Sequence, residues 1–197
     1  MNGEKQSESF PIVLGVSGSI AAFRAVELAS ALSKAGYAVD AVLTPAALQF
    51  VRPLSFESVT HRRAYTDEMF WELLNGNPVH IELARNAKLV LLAPATADLI
   101  AEYALGLAPN LLTSLLLATH SPVWIAPAMN KIMWQHPAVQ KNVQILKQRG
   151  VALIGPDEGE LACGDYGKGR LWPVEGIFTK IVKQFPLKNF EKKDETK

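Results

Sequence analysis

Cysteine is the scarcest residue of this chain: Cys163 stands alone among 197 positions. An internal disulfide is therefore excluded, which agrees with a reducing, cytoplasmic setting. Long apolar runs are missing too. The longest, Leu111 to Ala118, is broken by Thr113 and Ser114 and falls far short of the roughly 20 residues that cross a bilayer. Met1 to Ser9 is polar and lacks the apolar core of a secretory signal. Neither sign of charge dominates, since 20 basic and 19 acidic residues leave a net charge of +1. Neither nucleic acid nor an anionic membrane is favoured as a partner. Four scattered histidines give no metal-site spacing, and G-x-S-x-G, H-E-x-x-H and paired C-x-x-C motifs do not occur. Hydrolase and zinc chemistry therefore lack support, and no metal is expected.

What is present is 49% hydrophobic residues, enough for one well-buried core in a chain of this length. We expect a polar, disordered leader over 1–9, one folded domain over 10–187 and a charged tail over 188–197. Ile12 to Val16 is a continuous apolar run, the signature of a strand buried on both faces, and the apolar runs at Val39 to Leu43 (interrupted only by Asp40), Leu89 to Ala93, Val123 to Ala126 and Val151 to Ile154 read as four further strands. Helical periodicity fills the gaps. Ala21, Ala25, Leu28, Ala29 and Leu32 recur at helical spacing up to Gly36, and Pro137 to Arg149 repeats the pattern up to Gly150. Alternating strands and helices imply a single-domain, Rossmann-like (flavodoxin-like) α/β fold with a parallel sheet. Pro53 to Gly76 reads as an irregular excursion with a short helix near Ser55 to Thr60, and Asn77-Pro78 as a chain break.

The stretch Gly15-Val16-Ser17-Gly18-Ser19 leads from the first strand straight into the first helix. Small residues there expose backbone N–H groups and the positive helix end to an anion, and Ser17 and Ser19 add hydroxyls. The spacing matches neither the dinucleotide fingerprint nor a P-loop. By itself the stretch fits a phosphate cradle and a capped strand-to-helix turn equally well. Ligands in such sheets bind beyond the carboxyl ends of the strands. Those ends are Ser17-Gly18-Ser19, Thr44, Ala95-Thr96-Ala97 and Ala128-Met129-Asn130, all small or polar apart from Met129.

Asp157 to Arg170 holds four glycines, five charged residues besides Arg170, and the single cysteine. A thiol in so polar a segment is hard to bury, which points to a mobile lid that brings Cys163 over a pocket. His80, after the Pro78 break, is placed at a helix start. Taken alone, His80 and Asn130 read as structural residues as readily as catalytic ones.

Taken in order, Val16-Ser17-Gly18-Ser19-Ile20-Ala21-Ala22, His80-Ile81-Glu82-Leu83, Pro94-Ala95-Thr96-Ala97, Pro127-Ala128-Met129-Asn130 with Met133-Trp134, and Ala162-Cys163-Gly164-Asp165 ending at Gly169-Arg170 resemble the flavin-dependent cysteine decarboxylases. The resemblance runs from about Phe10 to Phe185. It implies bound FMN, held by Gly15, Ser17, Gly18, Ser19, Thr44, Ala95, Thr96 and Ala97. It also implies the reaction: the flavin oxidises the thiol of an N-acyl cysteine to a thioaldehyde, an electron sink for loss of CO2, and reduced flavin then returns the electrons to the enethiolate. The implied substrate is phosphopantothenoylcysteine of coenzyme A biosynthesis. A peptide C-terminal cysteine is the alternative, as is a non-catalytic FMN-binding regulatory subunit.

Carried over by the same resemblance, His80, Cys163 and Asn130 are catalytic. Asn130, Arg85, Ala128 and Met129 bind substrate, and Cys163 protonates the enethiolate. Asp98 stands where many relatives have Asn. Two-domain bacterial members continue into a ligase domain, so decarboxylation without ligation is expected of this chain, whether it stands alone or is part of a longer protein. A homotrimer or dodecamer is implied, with Phe70-Trp71 and the Leu111 to Leu117 run expected to bury surplus apolar surface between subunits.

Overall fold

The five apolar runs become five parallel strands in the computed structural model, which describes residues 10–187. The expected leader and tail lie outside the described residues. In chain order the elements are β1 (Phe10–Val16), α1 (Ala22–Lys34), β2 (Tyr37–Leu43), α2 (Pro53–Thr60), β3 (Leu73–Leu74), β4 (Asn77–Pro78), α3 (Val79–Asn86), β5 (Leu89–Ala95), α4 (Ala97–Leu105), α5 (Leu111–Ala118), β6 (Val123–Pro127), α6 (Lys131–Gln135), α7 (Pro137–Gln148), β7 (Ala152–Leu153), β8 (Asp157–Glu160), β9 (Tyr166–Arg170) and α8 (Val174–Gln184). The central sheet has the flavodoxin-like order β2-β1-β5-β6-β7, and every pairing in it is parallel. After β2 the chain returns to the other side of β1. The carboxyl ends of β1 and β5 therefore form the switch point at which such sheets bind ligands.

Side chains that alternate along each strand feed two apolar layers. Ile12, Leu14 and Val16 of β1 pack with Leu28 and Leu32 of α1, Phe56 of α2, and Ile177 and Ile181 of α8. Val13, Val42, Val90 and Leu92 face the opposite way, toward Leu83 of α3, Leu99 of α4, Leu112 and Leu115 of α5, and Leu146 of α7. Each large side chain so buried contributes roughly 1.5–3 kcal/mol, which is why these runs are apolar at nearly every position, with Asp40 of β2 the exception. Helix α1 ends as its sequence dictates: Gly36 takes φ +98° and donates its N–H to the Ser33 carbonyl at 2.9 Å.

The structure departs from the sequence reading in four places. The excursion after α2 follows the edge of β2: Arg62 grips the buried Asp40 through two 2.8 Å hydrogen bonds, and the Leu43 N–H donates to the Tyr65 carbonyl. The excursion ends in a hairpin, in which Asn75 and Gly76 (φ +52° and +80°) join β3 to β4, so Asn77-Pro78 is a short strand and not a break. Asp157 to Arg170, expected as a loop, is mostly the antiparallel hairpin β8–β9, with Cys163 at its tip. The Leu111 to Leu117 run supplies little surplus surface, because Leu111, Leu112, Leu115 and Leu116 are buried in their own chain and only Leu117 is half exposed.

Candidate functional site

A cleft of about 860 Å3 opens over the switch point, a size typical of cofactor pockets. At one end lies the turn between β1 and α1. The Ser17 hydroxyl donates to the Pro94 carbonyl at 2.8 Å and accepts from the Thr96 N–H at 2.9 Å, riveting this turn to the one after β5. Ser17 is therefore committed within the protein, and Ser19 is the hydroxyl left nearer the cleft, although it also accepts from the Ala21 N–H at 3.2 Å. The N–H groups of Gly18 and Ile20 meet no acceptor among the described residues. Helix α1 starts at Ala22 without a side-chain cap, so its positive end is open. A Cβ on Gly18 would stand 2.5 Å from the Ala46 Cβ, so the turn is pressed flush against the residues that follow Thr44. Free donors, an open helix end and a close backbone approach fit a phosphate. Pro45, Ala46, Ala97, Ala128 and Met129 continue the lining with apolar surface, as the flat ring of a flavin requires.

At the other end Asn130 caps α6: its Oδ1 accepts from the Ile132 N–H at 2.8 Å. That commitment aims Nδ2 outward, where it donates to the Cys163 Sγ at 3.3 Å. The hairpin carrying Cys163 is seated by its return strand, since the Met129 N–H donates to the Gly169 carbonyl at 2.9 Å. Gly169 takes φ +152°, and a Cβ there would meet the Met129 carbonyl oxygen at 2.3 Å, so only glycine fits.

Ser17, Gly18, Ser19, Thr44, Thr96, Ala97, Ala128, Met129, Asn130 and Cys163 all line this one cleft. Gly15 and Ala95 do not. They lie within β1 and β5, and a Cβ on Gly15 would strike Leu92 and Leu112, which makes Gly15 a packing residue behind the cradle. His80 and Arg85 also lie outside the cleft of their own chain, because α3 packs against α5 at the side of the sheet. His80 stands 5.4 Å from the Phe70 ring, with Nδ1 buried and without a partner among the described residues, and burial pushes its pKa below the ordinary 6.5. Arg85 donates to the Asn77 Oδ1 at 3.3 Å.

Arg24, Asp67, Glu102 and Asn110 line the cleft without having been singled out in the sequence, and Arg170, which closed the last motif without being given a role, lines it too. Burial raises the pKa of Asp67 and of Glu102, with Asp98 and then Asp67 adding like charge at Glu102. Asp67 accepts from the Leu111 N–H at 3.0 Å, a pairing across 44 residues that no local pattern announces. Arg24 had a signal: it sits at the start of α1, five residues beyond Ser19, on the exposed side of an amphipathic helix.

Comparison with known proteins identifies the family and the fold. The family model described as Flavoprotein matches residues 1–186. The coenzyme A biosynthesis bifunctional protein CoaBC of Bacillus subtilis (strain 168) is 45% identical over 174 residues, which are 88% of this chain and 43% of that relative. The chain thus spans less than half the length of this curated relative. Among solved structures, a PPC decarboxylase mutant complexed with pantothenoylaminoethenethiol has a TM-score of 0.81 at 32% identity, covering 90% of this chain and 98% of its own. The FMN binding protein AtHal3 has a TM-score of 0.79 at 31% identity, with 90% and 97% covered.

Proposed function

The chain belongs to the Flavoprotein family, and on that footing we propose that it is an FMN-dependent decarboxylase that converts phosphopantothenoylcysteine to phosphopantetheine in coenzyme A biosynthesis. The observation that carries this reading is one cleft with a phosphate cradle at one end and the Asn130–Cys163 pair, 3.3 Å apart, at the other. The solved PPC decarboxylase and the CoaBC protein of coenzyme A biosynthesis support this reading.

FMN, when bound, supplies the two-electron oxidation of the substrate thiol and its reversal after CO2 has left. The turns at Ser17 to Ser19, Thr44 and Thr96-Ala97 hold its phosphate and polar chain, with Gly15 and Ala95 shaping them from behind. Asn130 has its acceptor committed to the Ile132 N–H and offers only a donor, which suits an anionic substrate carboxylate and not a cation. Ala128 and Met129, the two residues before Asn130 and also in the cleft lining, complete the substrate contact. After CO2 departs, Cys163 delivers a proton to the enethiolate, for which it must lie within hydrogen-bond reach of the substrate; its seat at the tip of the β8–β9 hairpin, beside Asn130, supports that role.

His80 is the base for the oxidative step, with Arg85 assisting substrate binding on the same helix. Its Nδ1 is buried, so Nε2 is the nitrogen offered, and its lowered pKa keeps the ring neutral and able to accept a proton. Because His80 lies outside its own cleft, it acts in the cleft of a neighbouring copy. A homotrimer, alone or as the unit of a dodecamer, provides this arrangement. Exposed Trp71 and Leu73 near His80, and exposed Ile20 and Phe23 at the cleft, are the surfaces we assign to that contact. We assign the reaction to the cytoplasm, where a lone thiol stays reduced.

A peptide ending in cysteine is the second substrate class, because both reactions begin at the same thiol. Turnover of purified, FMN-loaded protein on phosphopantothenoylcysteine and on such a peptide separates them: faster release of CO2 from the former is expected, and turnover of the peptide alone would overturn the assignment. A regulatory subunit would turn over neither.

A further inference from the structure

The hairpin that carries Cys163 touches α6 through one side chain that has no part in the chemistry above. Lys131, the first residue of α6, directly follows Asn130. Its ammonium donates to the Tyr166 carbonyl at 3.4 Å and stands 4.0 Å from Asp165 Oδ1, three and two residues beyond Cys163. Its stem lies along Gly167, where an added Cβ would come within 3.0 Å of the Lys131 Cδ and 3.3 Å of its Cβ. The tip between Cys163 and this contact is tight, since the Leu161 N–H donates to the Asp165 carbonyl at 2.8 Å and the Gly164 N–H to the Leu161 carbonyl at 2.9 Å. Holding Asp165 and Tyr166 therefore holds the thiol, which stands against the residue preceding Lys131.

We propose that Lys131 is a positioning residue, a latch that keeps the β8–β9 hairpin seated on α6 with Cys163 beside Asn130. Its consequence for turnover rests on the decarboxylase reading: with the latch weakened, a larger share of the decarboxylated substrate leaves before Cys163 has protonated it, still two electrons and two protons short of the thiol product. Both side chains are about one third to one half exposed, so the effect is small, about two- to five-fold, and salt screens it. A backbone carbonyl and a carboxylate both accept from a cation, so arginine serves in place of lysine, whereas methionine keeps only the stem.

Because Cys163 is the single cysteine, its alkylation by iodoacetamide reports the hairpin directly in the full chain and needs no turnover. Lys131→Met is expected to label about two- to five-fold faster than wild type, with Lys131→Arg close to wild type. Added sodium chloride should raise the wild-type rate toward that of Lys131→Met and leave Lys131→Met unmoved. Asp165→Asn, which alters the other side of the contact, should move labelling the same way. Equal labelling of Lys131→Met and wild type overturns the latch. The second readout is the ratio of oxidised to reduced decarboxylated thiol: a higher ratio in Lys131→Met is expected, and faster labelling with an unchanged ratio overturns the latch's part in turnover. If wild type releases no CO2 at all, the functional reading fails while labelling still decides the latch.

Discussion

Replacing Gly18 with alanine tests the cradle without touching any group that takes part in proton transfer. The new methyl would stand 2.5 Å from the Ala46 Cβ, 3.0 Å from its carbonyl carbon and 3.1 Å from its oxygen. Two of those three atoms are backbone, so no rotamer relieves the contact, and the two loops that flank the cradle must part. Overpacking of this kind costs about 1–3 kcal/mol. Because the displaced loops carry the donors of the phosphate site, we expect most of that cost in FMN affinity, a weakening of about five- to 150-fold. Flavin fluorescence quenching on titration of the apoprotein measures it. Two comparisons isolate the cause. Ala46→Gly in the Gly18→Ala background removes the 2.5 Å contact but leaves both backbone contacts, so rescue should be partial. Gly36→Ala forces alanine to φ +98° at the far end of α1, which should lower the melting temperature and leave FMN affinity unchanged. FMN binding by Gly18→Ala as tight as that of wild type would refute the cradle as the phosphate site.

Burial holds the His80 pKa below 6.5. The neutral base therefore survives to lower pH than a free imidazole would allow, and the acid limb of kcat/KM should fall below pH 6.5, while His80→Asn should be inactive across the whole pH range. The same shift makes folding stability complete above 6.5 and lost as pH falls from there through the folded-state value, because the unfolded chain takes up the proton first; denaturation midpoints across pH 5–7 follow it. Mixing inactive His80→Asn with inactive Cys163→Ser, then exchanging subunits, should restore about a quarter of wild-type activity if each site draws its histidine and its cysteine from different copies, and none if both come from one chain. Arg62→Met leaves the buried Asp40 carboxylate without its two donors; denaturant unfolding should show a loss of about 1–3 kcal/mol, partly recovered when Asp40→Asn is added.

The five strands were legible because a strand buried on both faces must be apolar at nearly every position, as β2 and β5 are. Their order also placed most of the cleft, since parallel strands bring their carboxyl ends to one rim. Two kinds of information were missing. The β8–β9 hairpin is glycine-rich and charged, and what seats it is a backbone bond from Met129 to Gly169 that leaves no hydrophobic pattern. Chain order likewise brings His80 to the rim side of the sheet without saying that α3 turns it away from its own cleft and onto Phe70. Helix α8 did carry a signal, in Val174, Ile177 and Ile181 at helical spacing. It stands just beyond the glycine-rich segment and was passed over.

The most direct measurement counts products from purified, FMN-loaded protein given phosphopantothenoylcysteine with no added oxidant or reductant. One CO2 for each free phosphopantetheine thiol, with the flavin oxidised at the end as at the start, is the result the structure predicts. Flavin that stays reduced while no thiol product forms, or substrate recovered intact, would contradict it.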